Sequence, residues 1–531
     1  MSAIIDASHL RKTFVSSTGS HEQIKALDDL SIKVDRGETL GILGPNGAGK
    51  TTFLNVLSTL LVPDSGHVVM DGIAVTPSNF TALRKRFNMS SGYPNFPFSL
   101  TVRENLHFYG RLYGLSHQAL DRKVDELISL FELTTFADRR FDELSSGNKQ
   151  RLALAKSLLN DPRIIFLDEP TVGLDPDVAI KLRVVITEVL KSKGVTVLLT
   201  THNMAEAEEM CDRVAFIKSG RIIQLSTPAE LKATYQSDDL EEVFVHLAKH
   251  PAGGQVIRPE AGISNMVQGR DVSESADVSL WLNRCGAFCL RNYIFAVRNF
   301  FSFVELLFWP MVSVISIGLM GNYLELGRST LNFIMTGAIA AGVLQVAQLD
   351  VAYSLLYEVW SKSLKQTLLA PVGVTETLFG SLIIGIVRGL FIFAVLSLFA
   401  VMMFGFTFPS WTVTTLFLGG LLMCAFLLGL LVNIVILSFG QKAEITTWMF
   451  AYLFMLLCGI YYPVETLPAF FKALAQAIPI TYFLAFFRGG NFTDAAVGFL
   501  LVAFYFALGL YFLKIAYHRA RCRGTIIRLS E

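Results

Sequence analysis

The sequence predicts two fold classes in series: an α/β domain with a parallel sheet up to about Leu240, then an all-α membrane domain. Three observations carry that prediction. In the first half, short β-rich runs alternate with helical patterns, as expected of strands linked by crossover helices. Between Val372 and Gln441 the only charged residues are Glu376 and Arg388, a stretch that a bilayer requires and a soluble core does not. The chain of 531 residues is 52% hydrophobic and 17% charged, with a mean hydropathy of +0.48, outside the averages of soluble globular proteins.

The same arithmetic excludes other classes. Apolar surface is ample, so disorder of the whole chain is ruled out. The 45 basic and 44 acidic residues give a net charge of +1, which leaves no global field for nucleic acid. The opening residues, MSAIIDASHLRKTF, lack a basic start followed by an apolar run, so no secretory leader is expected there. Cys285 and Cys289 stand one helical turn apart, but no second Cys/His pair follows to complete a zinc site. With Cys211, Cys424, Cys458 and Cys522 they are read as small hydrophobes, not as disulfide partners.

Taken in order, Glu38 to Gly44 reads as a buried strand. It runs into Gly44-Pro45-Asn46-Gly47-Ala48-Gly49-Lys50-Thr51-Thr52, which fits the phosphate-binding loop pattern between a strand and a helix. The glycines let backbone N–H groups turn inward onto phosphates, and the helix N-terminus adds partial positive charge. Lys50 is expected to reach the β- and γ-phosphates and Thr51 to ligate magnesium. Thr101 to Gly114 and His117 to Leu133 look helical, as a subdomain beside the sheet.

Leu144 to Arg151 presents a polar, glycine-containing helix start, which serves either as a plain cap or as an anion site. The strand Ile164 to Leu167 delivers Asp168 and Glu169 at its carboxyl end, where ligands sit in open α/β sheets. Paired acids there often only cap a helix. Downstream of a phosphate loop, Asp168 suits the magnesium shell (via water) and Glu169 suits the general base. The strand Val195 to Leu199 ends in Thr200-Thr201-His202, so His202 is expected at the same edge as a γ-phosphate sensor.

Residues 241–280 read as a linker, opened by a last helix and then rich in Gly, Ser and charge. Within 281–300, Arg284, Arg291 and Arg298 recur every seven residues on one helical face. That face is read as lying against anionic headgroups, with a solvated connector as the alternative. Six spans are predicted in 301–516, near 302–321, 332–350, 379–404, 411–438, 446–462 and 495–514. Pro463 to Thr481 is expected outside as a short re-entrant or interfacial hairpin. An even count puts both termini on one side, and the basic tail 517–531 assigns that side to the cytoplasm.

Together these residues resemble a known family. The phosphate loop, Leu144-Ser145-Ser146-Gly147-Asn148, Leu167-Asp168-Glu169-Pro170, Gly173-Leu174-Asp175 and Thr201-His202 occur in the order of an ATP-binding cassette (ABC) ATPase, so residues 1–240 look like a complete nucleotide-binding domain. The resemblance implies ATP and Mg2+ as ligands and Phe14 stacked on adenine. It implies that Ser145, Ser146 and Gly147 contact ATP held by the opposite subunit, and that Asp175 communicates across the dimer.

Two departures stand out. Ser146 and Asn148 replace the usual Gly and Gln, and the glutamine expected before Thr101 is absent, with Asn88, Ser91 and Asn95 as conceivable substitutes. That glutamine helps place magnesium and water and senses the membrane domain. The second half is similar to type-two exporter permeases, with Tyr357 to Pro371 as the cytoplasmic coupling segment and Leu467-Pro468, Pro479 to Tyr482 and Arg488 as the external hairpin. In the segment, Glu358 is expected to pair with a basic group of the cassette, and Trp360 and Leu364 to plug an apolar groove on it.

One loop and one signature per chain imply a half-transporter that pairs with a second copy or a related chain. The expected function is ATP-driven export of an amphiphilic small molecule, lipid or lipid-linked glycan across the cytoplasmic membrane. The alternative is a non-transporting, ATP-gated regulator with a weakened ATPase.

Overall fold

The three apolar runs expected as strands are fully buried strands lying side by side in one sheet. In this computed structural model the described residues are 3–15, 23–92, 94–174, 176–249 and 277–529, so Asp175 and most of the expected linker fall outside them. The chain divides into two units. One comprises Met1–Arg284 with Ser361–Gly373 and Arg521–Glu531, the other Cys285–Trp360 with Val374–Ala520.

The first unit holds two sheets. Strands β1 (Ala3–Val15), β2 (Gln23–Asp35), β3 (Thr39–Leu43), β4 (Ser65–Met70), β5 (Ile73–Ala74), β6 (Phe87–Ser91), β7 (Ile164–Asp168), β8 (Thr196–Thr200), β9 (Arg213–Lys218) and β10 (Arg221–Ser226) follow in chain order. An antiparallel sheet runs β2-β1-β4-β5, and a second sheet runs β10-β9-β3-β8-β7-β6. From β9 to β6 every pairing is parallel, and only the edge strand β10 is reversed. Strands covered on both faces must be apolar throughout, as Thr39–Leu43 and Ile164–Asp168 nearly are. The predicted helical subdomain is present as Val102–Tyr113 and His117–Leu130. Thr101 and Glu104 close a reciprocal capping box at the first of these, satisfying two backbone donors.

The second unit is helical. Among the described residues five helices are long and apolar enough to cross a bilayer: Leu306–Tyr323 within Phe300–Tyr323, Arg328–Trp360, Val374–Phe404, Trp411–Phe439 and Phe492–Arg523. Arg328–Trp360 is the central one, with 72% of its apolar window buried against 28% for Val374–Phe404 and 17% for Phe492–Arg523. Its small residues Ala338, Ala340 and Ala341 are buried in one apolar cluster with Ile392, Leu396, Leu421 and Phe483, and a Cβ at Gly342 would meet Leu396 and Pro310. Arg388 and Asp350 form an ion pair between two of these helices, the usual way to neutralise charge at membrane depth.

Two expectations are corrected here. The predicted span 446–462 is a helix of only 12 residues, Thr446–Leu457. At about 1.5 Å per residue it covers some 18 Å, short of a hydrocarbon core of about 30 Å. The predicted hairpin takes the form of a bent pair, Ala469–Gln476 and Pro479–Phe487, meeting at 87°, either the re-entrant loop expected or a sixth, broken crossing. Arg488, directly after the bent pair, donates to the carbonyls of Gly459 at 2.7 Å, Ile460 at 2.6 Å and Phe333 at 3.0 Å.

The second correction concerns the arginine face of the helix Val278–Arg298. Arg284 is 6% exposed and Arg291 4% exposed, so they meet protein and not headgroups. Arg284 donates to the Leu112 carbonyl at 3.0 Å, and Arg291 pairs with Glu358. Glu358 answers Arg291 within the helical unit. Trp360 likewise donates to Glu444 at 3.2 Å in the helical unit, while Leu364 is buried in the first unit. The segment read as one coupling element thus divides at Trp360.

Candidate active site

Strand order builds the site. Because β8 lies between β3 and β7, the carboxyl ends of three adjacent parallel strands place the loop 44–50, the Thr200–His202 turn and the Asp168–Glu169 pair on one edge. Lys50 opens the helix Lys50–Leu57, and Gly49 caps it in the left-handed region at φ 106°. Gly47, also left-handed at φ 79°, has nothing within 4 Å of where a Cβ would stand. Pro45, Asn46 and Gly47 are exposed, Ala48 is buried and Thr51 is exposed with Thr52 half-buried behind it.

Lys50 is buried, and its Nζ donates to the carbonyls of Gly44 at 2.7 Å and Pro45 at 3.2 Å. Burial pulls this ammonium below the ordinary lysine range, and Glu169 and Asp168 oppose that pull. The hydroxyl of Thr51 lies 3.5 Å from Asp168 Oδ1. These are hard oxygen ligands converging on one point, a set that suits a magnesium ion.

Thr200, missed by the sequence reading, organises the acids. Its hydroxyl donates to Asp168 Oδ1 at 2.8 Å and accepts from the Glu169 N–H at 3.0 Å. Its place as the last strand residue before Thr201-His202 was the available signal. Glu169 itself sits at φ 49°, an uncommon conformation for a non-glycine residue, and such strain gathers where a side chain must be aimed. His202 Nδ1 is 3.5 Å from Glu169 Oε1, with the histidine side chain 63% exposed.

The signature lies at the start of the helix Ser146–Ser157, where Ser145 caps and accepts from the Asn148 N–H at 3.4 Å. Ser145 and Ser146 are exposed, and nothing lies within 4 Å of a Cβ at Gly147. Gln150, one turn on, donates to the Pro170 carbonyl at 3.0 Å and ties this helix to the acid pair. Phe14 is half-buried near the end of β1, with Lys12 Nζ 5.8 Å from its ring centre. Asn88 does not reach the acids, because its side chain is committed to Lys156 and Asn160. Ser91 is opposite Asp168 in the ladder, and Gly92 N–H donates to the Asp168 carbonyl at 2.6 Å. Asp175 lies outside the described residues.

Comparison with known proteins assigns a family to each half of the chain. The ABC transporter family matches residues 27–172, and the ABC-2 type transporter family matches residues 285–492. The probable multidrug ABC transporter ATP-binding protein YbhF of Escherichia coli is 39% identical over 249 residues, 46% of this chain and 41% of that protein. The chain thus spans less than half of that relative's length. The Nod factor export ATP-binding protein I of Paraburkholderia xenovorans is 41% identical over 42% of this chain and 73% of its own length. The ABC transporter ATP-binding protein NatA of Bacillus subtilis is 35% identical over 42% of this chain and 90% of its own length. Among solved structures, the ATP-binding cassette MJ0796 in a dimeric, post-hydrolysis state with ADP and Pi is similar at 27% identity and a TM-score of 0.39, covering 42% of this chain and 98% of that one. The chain belongs to the ABC transporters, as a multi-pass membrane protein in which an N-terminal ATPase domain precedes an ABC-2 type membrane domain.

Proposed function

We propose that the chain is a half-transporter that hydrolyses ATP and exports an amphiphilic small molecule, lipid or lipid-linked glycan across the cytoplasmic membrane, with both termini inside. The observation that carries this reading is the convergence of Lys50, Asp168, Glu169 and His202 on one sheet edge in a chain that continues into membrane-length helices. Relatives named for export of Nod factor and for daunorubicin resistance support the direction of transport. A dimer, of two copies or of two related halves, is supported by the exposed signature, since each chain has one loop and one signature to offer.

The residues divide the chemistry among them. The loop N–H groups and Lys50 hold the phosphates, and Thr51 with Asp168 would hold magnesium. Bound magnesium supplies charge neutralisation on the phosphates. Glu169 accepts a proton from the water that attacks the γ-phosphorus, ADP leaves, and His202 contacts the transferred γ-phosphate from beside Glu169. Ser145, Ser146 and Gly147 complete the site of the partner.

Glu169→Gln tests the reading. Turnover is expected to fall by about 10²–10⁴-fold, the usual weight of a general base, while ATP binding persists. Lys50→Ala is expected to weaken ATP binding itself. Wild-type turnover in Glu169→Gln contradicts the base assignment. The regulator reading gains if turnover in vesicles responds to no transported compound.

A further inference from the structure

Lys156, in the last turn of the Ser146–Ser157 helix, is fully buried and faces no carboxylate among the described residues. Its Nζ donates to Asn88 Oδ1 and to Gln366 Oε1, each at 2.9 Å, and stands 5.4 Å from the centre of the Tyr109 ring. Asn88 is held in turn by its own donation to Asn160 Oδ1 at 2.7 Å. Gln366 is 3% exposed and belongs to the helix Leu364–Leu369, inside the segment Ser361–Gly373 that joins the nucleotide-binding unit. Burying a lysine without a counter-charge is costly, and an apolar side chain of that length fills such a site more stably. A purely structural role does not explain the choice.

The geometry leads onward to the chemistry. Asn88 sits on β6, three residues before Ser91, which is opposite Asp168, and Gly92 then binds the Asp168 carbonyl. β6 is the strand that ends where the family's glutamine is expected and missing. We propose that the hydrogen bond from Lys156 to Gln366 is the transmission contact of this chain, passing the position of the 361–373 segment through Asn88 and β6 to the acid pair in place of that glutamine. Lys156 and Gln366 act as positioning residues. The inference rests on the ATPase reading above. Covalent continuity gives the contact its leverage, because the segment links the helices Arg328–Trp360 and Val374–Phe404.

Burial pulls Lys156 down to about 7. Around it stand Tyr109, Asn88, Asn160 and Gln366, with Tyr113 and Arg84 further out. An ammonium donates more strongly than a neutral amine, so the contact is strongest below that value.

The test uses the full chain in vesicles of phosphatidylethanolamine and phosphatidylglycerol. Lys156→Met and Gln366→Leu are each expected to lower kcat about tenfold or more with KM for ATP unchanged, since the acids are displaced and not the cradle. The exchanged pair, Lys156→Gln with Gln366→Lys, is expected to return to within about threefold of wild type, because donor and acceptor merely trade places. Gln366→Glu is expected to move the pH profile of kcat toward alkaline pH, as a carboxylate there holds the ammonium charged. Unchanged kcat in Gln366→Leu, or an exchanged pair no better than the single variants, overturns the proposal. If wild type itself does not turn over ATP, the ATPase reading fails instead. Hydrogen exchange at 364–369 then still decides the contact: ATP binding is expected to alter it in wild type and not in Lys156→Met, and an equal response in both overturns it.

Discussion

Gly49 and Gly47 show how closely single residues determine the nucleotide site. Both are left-handed, but a Cβ at Gly49 runs into the Ala26 carbonyl, whereas one at Gly47 meets open space. Gly49→Ala is expected to cost about 2 kcal/mol or more, the backbone penalty plus a displaced loop. Gly47→Ala is expected to cost only the backbone term, about 1–2 kcal/mol. Thermal unfolding of the two variants without nucleotide measures the difference, and equal losses contradict the loop geometry. The motif residues were legible in the sequence because phosphate chemistry restricts them to a few types at fixed spacing. Thr200 and Lys156 were not legible, since a strand-end threonine and a helical lysine are common everywhere. Only strand order brings Thr200 between Asp168 and Glu169, and only burial marks Lys156.

Among elements, the strands declared themselves and some helices did not. Ile164–Asp168 and Thr196–Thr200 are apolar, β-branched and short, which leaves few alternatives. Thr446–Tyr462 is equally apolar, but hydropathy does not register the left-handed Gly459 or the capture of its carbonyl by Arg488, which end the helix early. The arginine stripe of Val278–Arg298 was legible as a face, but not what it faces. Charge at heptad spacing looks the same against lipid as against Glu358, 67 residues away in sequence. That buried pair predicts a large asymmetry. Glu358→Ala leaves the Arg291 guanidinium buried without its carboxylate and is expected to cost about 3–5 kcal/mol. Replacing both, with Arg291→Met and Glu358→Leu, is expected to cost less than the single change. Denaturation in detergent micelles compares them, and a double variant worse than Glu358→Ala tells against a neutralising pair.

For the whole molecule, two halves of different composition fold as two units, yet the boundary does not follow the chain. Residues 361–373 and 521–531 join the nucleotide-binding unit although they flank membrane-length helices. Composition revealed the halves, because a bilayer and water select opposite residues. It did not reveal which short segments cross over, since that depends on single contacts such as those of Lys156 with Gln366 and Lys12 with the Cys522 carbonyl. The central claim is that two such chains close on ATP, each loop against the other's signature. Paired cysteines test it most directly, Gly47→Cys on one copy and Ser145→Cys on the other, in a chain freed of its six native cysteines. The account predicts crosslinks between copies with ATP in the Glu169→Gln background and none without nucleotide. Crosslinking that is indifferent to ATP, or absent in its presence, contradicts it.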